Sequence, residues 1–275
     1  MNDITFFWIA FVCYLSSFII FSTYFAFAKK SISNTASFAA LAGFIMHTIA
    51  LIMRWISAKH APFSNMFEYM NVMAWVSVLG LLIIVWKVKR PLVSAFISPV
   101  AFILMGCAAL LPKDINQMLM PALQSIWFNI HISLTVIAEG AFAIAFAVSI
   151  MYLIKASRSF GTKSTKSSLI QRFPSLETLD DINYKAVSIG YPLFTIGALI
   201  AGSIWASRAW GTFWGWDPKE VGALVIWIFY TIYIHARFVK GWKGARAAWM
   251  SIIGFVMTIL SFFGNMFLGG LHAYV

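Results

Sequence analysis

Residues 5–28 read TFFWIAFVCYLSSFIIFSTYFAFA, an uncharged run of 24 residues closed by Lys29-Lys30. A helix rises about 1.5 Å per residue, so about 20 apolar residues cross a hydrocarbon core roughly 30 Å thick. This run is long enough to span. Ala26-Phe27-Ala28 looks like a signal cleavage site, but Asp3 stands where a signal peptide carries basic residues, and the run is longer than a signal core. It reads as a retained first span. Working outward, seven more runs of similar character fall at roughly 36–57, 66–86, 94–112, 124–154, 184–206, 221–239 and 247–271. The fifth is the longest and is expected to project beyond the hydrocarbon.

Composition agrees with this count. The chain is 61% hydrophobic and 11% charged over 275 residues, whereas a soluble domain is about half apolar and a quarter charged. The expected fold class is therefore an all-α integral membrane protein. It is a bundle of about eight transmembrane helices forming one domain over 1–275. Pro62, Pro91, Pro112, Pro121 and Pro218 fall at or between span ends, where a missing N–H costs least, and Pro99 and Pro192 fall near the starts of spans four and six.

Lys and Arg set the expected orientation. With alternating loops, Arg54, Lys59, Lys113, Arg208 and Lys219 share the face of the termini, and the other 15 of the 20 basic residues lie on the opposite face. The positive-inside rule then puts both termini outside. The net charge of +11 follows from this topology and calls for no nucleic-acid partner. The longest polar stretch, 156–183, reads as a cytoplasmic loop. Cys13 and Cys107 lie in spans without a CxxC or CxxCH pattern, which excludes a thiol redox motif and a c-type cytochrome.

Chemistry concentrates in the connection between spans six and seven, 205–220, which reads WASRAWGTFWGWDPKE. Four of the chain's twelve tryptophans, Trp205, Trp210, Trp214 and Trp216, lie within it. Trp205, at a span end, reads as an interfacial belt residue. The other three alternate with glycines, which let flat rings approach a flat partner. Asp217, Pro218 and Glu220 stand at N-cap, N1 and N3 of the seventh helix, a helix-start signal.

Four of the five histidines sit in spans or at their ends. A histidine there is a functional candidate, and any one alone reads equally well as a helix-to-helix hydrogen bond. Depth sorts them into pairs. His131 begins span five and His272 ends span eight, both at the outer face. His47 lies about 16 Å up span two and His235 about 21 Å down span seven, near mid-membrane. Two imidazoles across a plane suit haem iron, while zinc asks for more ligands than these spans offer.

The segment WGTFWGWDPKE resembles the tryptophan-rich signature of the haem-handling proteins of cytochrome c biogenesis. The flanks KHAPFSNMFEYMNV (59–72), FPSLETLDDINYKAVSIGYPLFTIGALIAGSIWA (173–206) and IHARFVKGWKGARAAWMSIIGFVMTILSFFGNMFLGGLHAYV (234–275) resemble the CcsA/ResC-type subunit of the system II cytochrome c synthase. The likeness is strongest over the C-terminal hundred residues. It implies haem b as cargo, taken from the inner side and passed through an intramembrane site at His47 and His235. It implies an outer site at His131 and His272 beneath a loop whose signature residues are Trp210, Trp214, Trp216 and Asp217. There the haem vinyl groups meet the two thiols of an apocytochrome c, a holocytochrome-c synthase activity shared with a CcsB/ResB-type membrane partner. A bacterial plasma membrane, or a thylakoid, is the implied location. As hypotheses, Arg54, Lys59, Arg208 or Lys219 pair with propionates, although each also reads as a snorkelling charge. His60 and Glu139 stay unassigned. The alternatives are a haem exporter or holder serving a chaperone, a haem-linked regulator without activity, and a coupled transporter. The last leaves the tryptophan loop unexplained.

Overall fold

The computed structural model describes residues 2–27, 29–115, 118–159 and 168–268, and these are helical throughout apart from short connections. The helices are α1 (Asp3–Phe27), α2 (Lys30–Ala58), α3 (Met66–Ile83), α4 (Pro91–Ala109), α5 (Ile126–Ser159), α6 (Ser168–Gln171), α7 (Leu176–Phe194), α8 (Gly202–Trp210), α9 (Pro218–Val239) and α10 (Ala245–Leu268). A π-helical turn, Ile84–Val88, continues α3, and a second, Thr195–Ala201, joins α7 to α8. Counting α7 through α8 as one span, eight helical segments among the described residues are long and apolar enough to cross a membrane. The chain is an integral membrane protein.

Several helices run further than hydropathy alone suggests. Helix α7 begins at Leu176, inside the polar stretch, because Ser175 caps it: its Oγ accepts from the Thr178 amide at 3.1 Å. Glu177 in the first turn favours the positive helix end. Pro99 and Pro192, read near the starts of spans four and six, lie inside α4 and α7.

The chain divides into two compact units, Met1–Gln117 with Met151–Leu179, and Met118–Ile150 with Asp180–Val275. In the first, α1 packs on α2 and α4, and α3 closes the ring by packing on both. Gly43 lets α2 press on α1, since a Cβ there would lie 2.6 Å from the Tyr14 ring. One end of this bundle is tied by Arg54, which is buried. Its guanidinium donates to Glu68 (2.6 Å), Asp3 (3.0 Å) and the carbonyls of Lys113 and Asp114, and it covers the Phe67 ring.

In the second unit the first 25 residues of α5 pack with α7, α9 and α10. The Phe142 ring stacks on Tyr230 at 3.8 Å. Buried Asn183 on α7 donates to Ser149 on α5 (2.7 Å) and Ser251 on α10 (2.8 Å), and its Oδ1 accepts from Tyr233 on α9. One amide thus joins four helices. Such polar ties hold membrane helices together where lipid is as apolar as leucine.

Candidate functional site

The second unit's candidate site is built from α5, the π turn and α8. Pro192 has no N–H to continue the α7 ladder and its ring crowds the carbonyl four residues back. The helix widens into the π turn three residues later. In that turn the Gly202 amide bonds to the Gly197 carbonyl five residues earlier. The same carbonyl also accepts from His131 Nδ1 at 2.9 Å. A π widening exposes a carbonyl sideways in this manner, which is one reason such turns recur at functional sites.

The donation fixes the His131 tautomer. With Nδ1 protonated, Nε2 is the nitrogen carrying the lone pair. Two glycines make the contact possible. A Cβ at Gly197 would lie 2.7 Å from Leu134 Cβ and 2.8 Å from the Thr135 amide, and one at Gly202 would lie 3.1 Å from His131 Nδ1. The imidazole stacks on Trp205 at 5.7 Å with 14° between the planes.

Trp205 departs from its reading as a belt residue. It is 1% exposed, and its Nε1–H donates to the Ala122 carbonyl at 2.6 Å. Its ring meets Phe128 on one side and the edge of Trp210 at 4.8 Å on another. A contiguous aromatic path therefore runs from His131 through Trp205 to Trp210, the last residue of α8.

Gly211 caps α8 in the left-handed conformation, φ +81°, which costs glycine little. In the loop beyond it, Phe213 and Trp216 are exposed, Trp214 is half-buried, and the Trp214 and Trp216 rings meet edge to face at 5.9 Å. Trp216 itself has φ +58°, a conformation that costs a non-glycine residue about 1–2 kcal/mol. Glu220 holds it there: its Oε2 accepts from the Gly215 amide (2.8 Å) and the Asp217 amide (3.2 Å), on either side of Trp216. Asp217 is buried and its Oδ1 accepts from the Lys219 amide, completing the capping box expected from the sequence.

The remaining site residues divide between the units. His47, in the first unit, is fully buried. Its Nε2–H donates to Asn71 Oδ1 at 3.0 Å, and Nδ1 accepts from Tyr14 at 3.2 Å. Here it links α1, α2 and α3. His235, in the second unit, is exposed on α9, in line with Val225, Ile228 and Ile232. His272 lies outside the described residues.

Among the other polar groups, Arg54 is enclosed rather than snorkelling, while Lys59 and Arg208 are exposed. Lys219 is half-buried within electrostatic reach of Glu139 and Asp217, which gives Glu139 a cationic neighbour. His60 is half-buried, its Nδ1 on the Ala61 carbonyl at 2.9 Å. Gly197 and Gly202 were not singled out by sequence, and Trp205 was read only as a belt residue. Pro192 followed by two glycines five residues apart was the available signal.

A helical membrane protein with eight candidate spans and a histidine stacked on a tryptophan of a Trp-rich segment defines a recognisable class. Residues 63–272 match the family described as cytochrome C assembly protein, and the chain belongs to that family. Its relatives include three proteins named cytochrome c biogenesis protein CcsA. That of Guillardia theta is 37% identical over 82% of this chain and 81% of its own. That of Prochlorococcus marinus (strain MIT 9215) is 34% identical over 90% and 86%. That of Trieres chinensis is 32% identical over 89% and 88%. The resemblance to CcsA-type proteins therefore holds over most of the chain. Among solved structures, Cytochrome c Heme Lyase CcmF shares the fold. It aligns with 98% of this chain and 49% of its own at a TM-score of 0.68 and 17% identity. The chain's role lies in cytochrome c maturation.

Proposed function

We propose that this chain carries haem across the membrane and presents it beneath the 205–220 loop for attachment to an apocytochrome c, working with a CcsB/ResB-type partner. The observation that carries this reading is the contact of His131 Nδ1 with the Gly197 carbonyl. A backbone carbonyl holding Nδ1–H orients the ring and raises the basicity of Nε2, the usual support for an imidazole that binds metal. His131 then serves as one axial ligand of haem iron and His272 as the other. The aromatic path through Trp205 to Trp210 offers stacking area for a porphyrin, with Trp214 and Trp216 completing the loop. Glu220, by clamping Trp216, keeps the loop formed before haem arrives.

Two axial histidines keep the iron six-coordinate and away from dioxygen. Attachment itself is an addition: each cysteine S–H adds across one vinyl double bond, a C–S bond forms, the proton ends on carbon, and nothing leaves. Fixing the vinyl groups beside the thiols removes much of the entropic barrier. In the intramembrane assignment, His235 presents its ring on an exposed face of α9. His47 would bind through Nε2 by giving up Asn71, while its proton moves to Nδ1 and the Tyr14 hydroxyl turns to accept it.

The test is an absorption spectrum of the detergent-purified chain, oxidised and reduced, for wild type and for H131A/H272A. Wild type is expected to show low-spin, bis-imidazole haem, with occupancy reduced in the double variant. Residual low-spin haem removed by H235A assigns the second site. Unchanged occupancy in H131A/H272A would sink the outer-site assignment.

A further inference from the structure

The first unit holds a cavity of about 450 Å³ at the end opposite Arg54, where α1 ends, α2 begins and α3 turns into α4. That volume lies in the range of small-molecule sites, about 300–1,000 Å³. Lys30 and Lys89 line it, together with Tyr24, Asn34, Phe38 and Trp86. Among the described residues no acidic side chain lines it. Among the described residues neither lysine makes an ion pair, and Asp3 and Glu68 of the same unit are engaged by Arg54.

The backbone is bent to form this wall. The π turn Ile84–Val88 supplies Trp86, and Lys89, which follows it, has φ +57°. That conformation is unfavourable for lysine, and a π turn is a recurrent mark of functional sites. The two cations come from separate elements, one from the first turn of α2 and one from the α3–α4 connection. Trp86 and Phe38 add aromatic surface to the same lining. A single phosphodiester headgroup needs one cation. Two cations beside flat apolar walls suit a flat amphiphile carrying two carboxylates.

We infer that this cavity is the chain's haem-capturing site, in which Lys30 and Lys89 hold the two propionates of haem against Trp86 and Phe38. The inference rests on the haem-handling function proposed above. Among the described residues no histidine lines the cavity, so capture here depends on the acid groups and the ring, and not on the iron.

This separates its test from that of the histidine sites. Metal-free protoporphyrin IX offers no iron to an imidazole. Its affinity for the full-length chain in phosphatidylcholine nanodiscs is read from porphyrin fluorescence. The variants are K30Q/K89Q and, as a control for general surface charge, K87Q. Wild type is expected to bind, K30Q/K89Q about tenfold more weakly, and K87Q like wild type. The dimethyl ester should bind wild type as weakly as the free acid binds K30Q/K89Q. Equal affinity of wild type and K30Q/K89Q, or an equal loss in K87Q, overturns the inference. So does native mass spectrometry in which phosphatidylglycerol is retained by wild type, lost by K30Q/K89Q, and blocks porphyrin binding, since the cavity is then a lipid headgroup site. Lysine-dependent porphyrin binding without any low-spin haem spectrum would instead count against the bis-histidine function alone.

Discussion

His131 and His47 show how one residue type takes two roles from its neighbours. Both lie in apolar helices and both engage Nδ1. For His131 the partner is a carbonyl, which only accepts, so the tautomer is set. For His47 the partner is a hydroxyl, which can donate or accept, and Asn71 occupies the second nitrogen. The backbone thus sets the tautomer of the first ring, whereas under the proposed function the second would give up Asn71 to bind a metal. The setting depends on Gly197. Replacing it with alanine sets a Cβ against the α5 backbone at Thr135, 2.8 Å away, and backbone cannot step aside. G197A is expected to move the π turn off α5, release His131 Nδ1 and weaken haem binding about 10–100-fold. Haem titration of purified G197A checks this, with helicity by circular dichroism as the control for folding. Unchanged affinity would mean that the carbonyl contributes no support. The histidine was legible in the sequence, as a polar residue at the start of an apolar span. Its support was not, because a π turn arises from how Pro192 is accommodated and leaves no periodicity of its own.

At the scale of elements, the sequence was legible wherever a local rule decides. Eight apolar runs became eight helical segments, among the described residues, long and apolar enough to cross, because length and hydropathy are local properties. Asp217-Pro218-Lys219-Glu220 became the start of α9 because a capping box uses only neighbouring atoms. Rules that involve distant partners stayed hidden. Trp205 at a span end has the sequence appearance of an interfacial anchor, and only the arrival of Ala122, Phe128 and His131 buries it. Glu220 spans the two cases: its cap was legible, but its bond to Gly215, across a left-handed Trp216, was not. E220A should therefore do more than weaken the helix start, which costs about 1 kcal/mol. Without the carboxylate Trp216 loses the two bonds that flank its positive φ, and the loop should relax. Hydrogen exchange at the Gly215 and Asp217 amides is expected to accelerate in E220A and less so in E220Q, whose amide oxygen still accepts. Equal exchange in E220A and wild type would show that the loop is held by its rings alone.

For the molecule as a whole, burial alters the counting of charge. Each unit has a polar tie, Arg54 in the first and Asn183 in the second. Arg54 was counted with the basic residues on the face of the termini, yet it is enclosed by Asp3, Glu68 and two carbonyls and belongs to the bundle interior. The connections on that face then carry only Lys59, Lys113, Arg208 and Lys219, and Lys219 sits within reach of Glu139. On the other face Arg237 is likewise enclosed, by Asp180, and the remaining 14 of the 15 basic residues assigned there still outweigh them. An even number of crossings puts both ends together, so the imbalance predicts both termini, and the 205–220 loop, on the outer side. Alkaline phosphatase folds only after export, whereas green fluorescent protein exported through the general secretory route stays dark. Phosphatase fused after Val275 is expected to be active and a fluorescent fusion there dark, with the reverse for fusions at Lys163. Fluorescence from the Val275 fusion would place the tryptophan loop on the inner side. Haem presented there could not meet an exported apocytochrome, and the proposed direction of transport would fail with it.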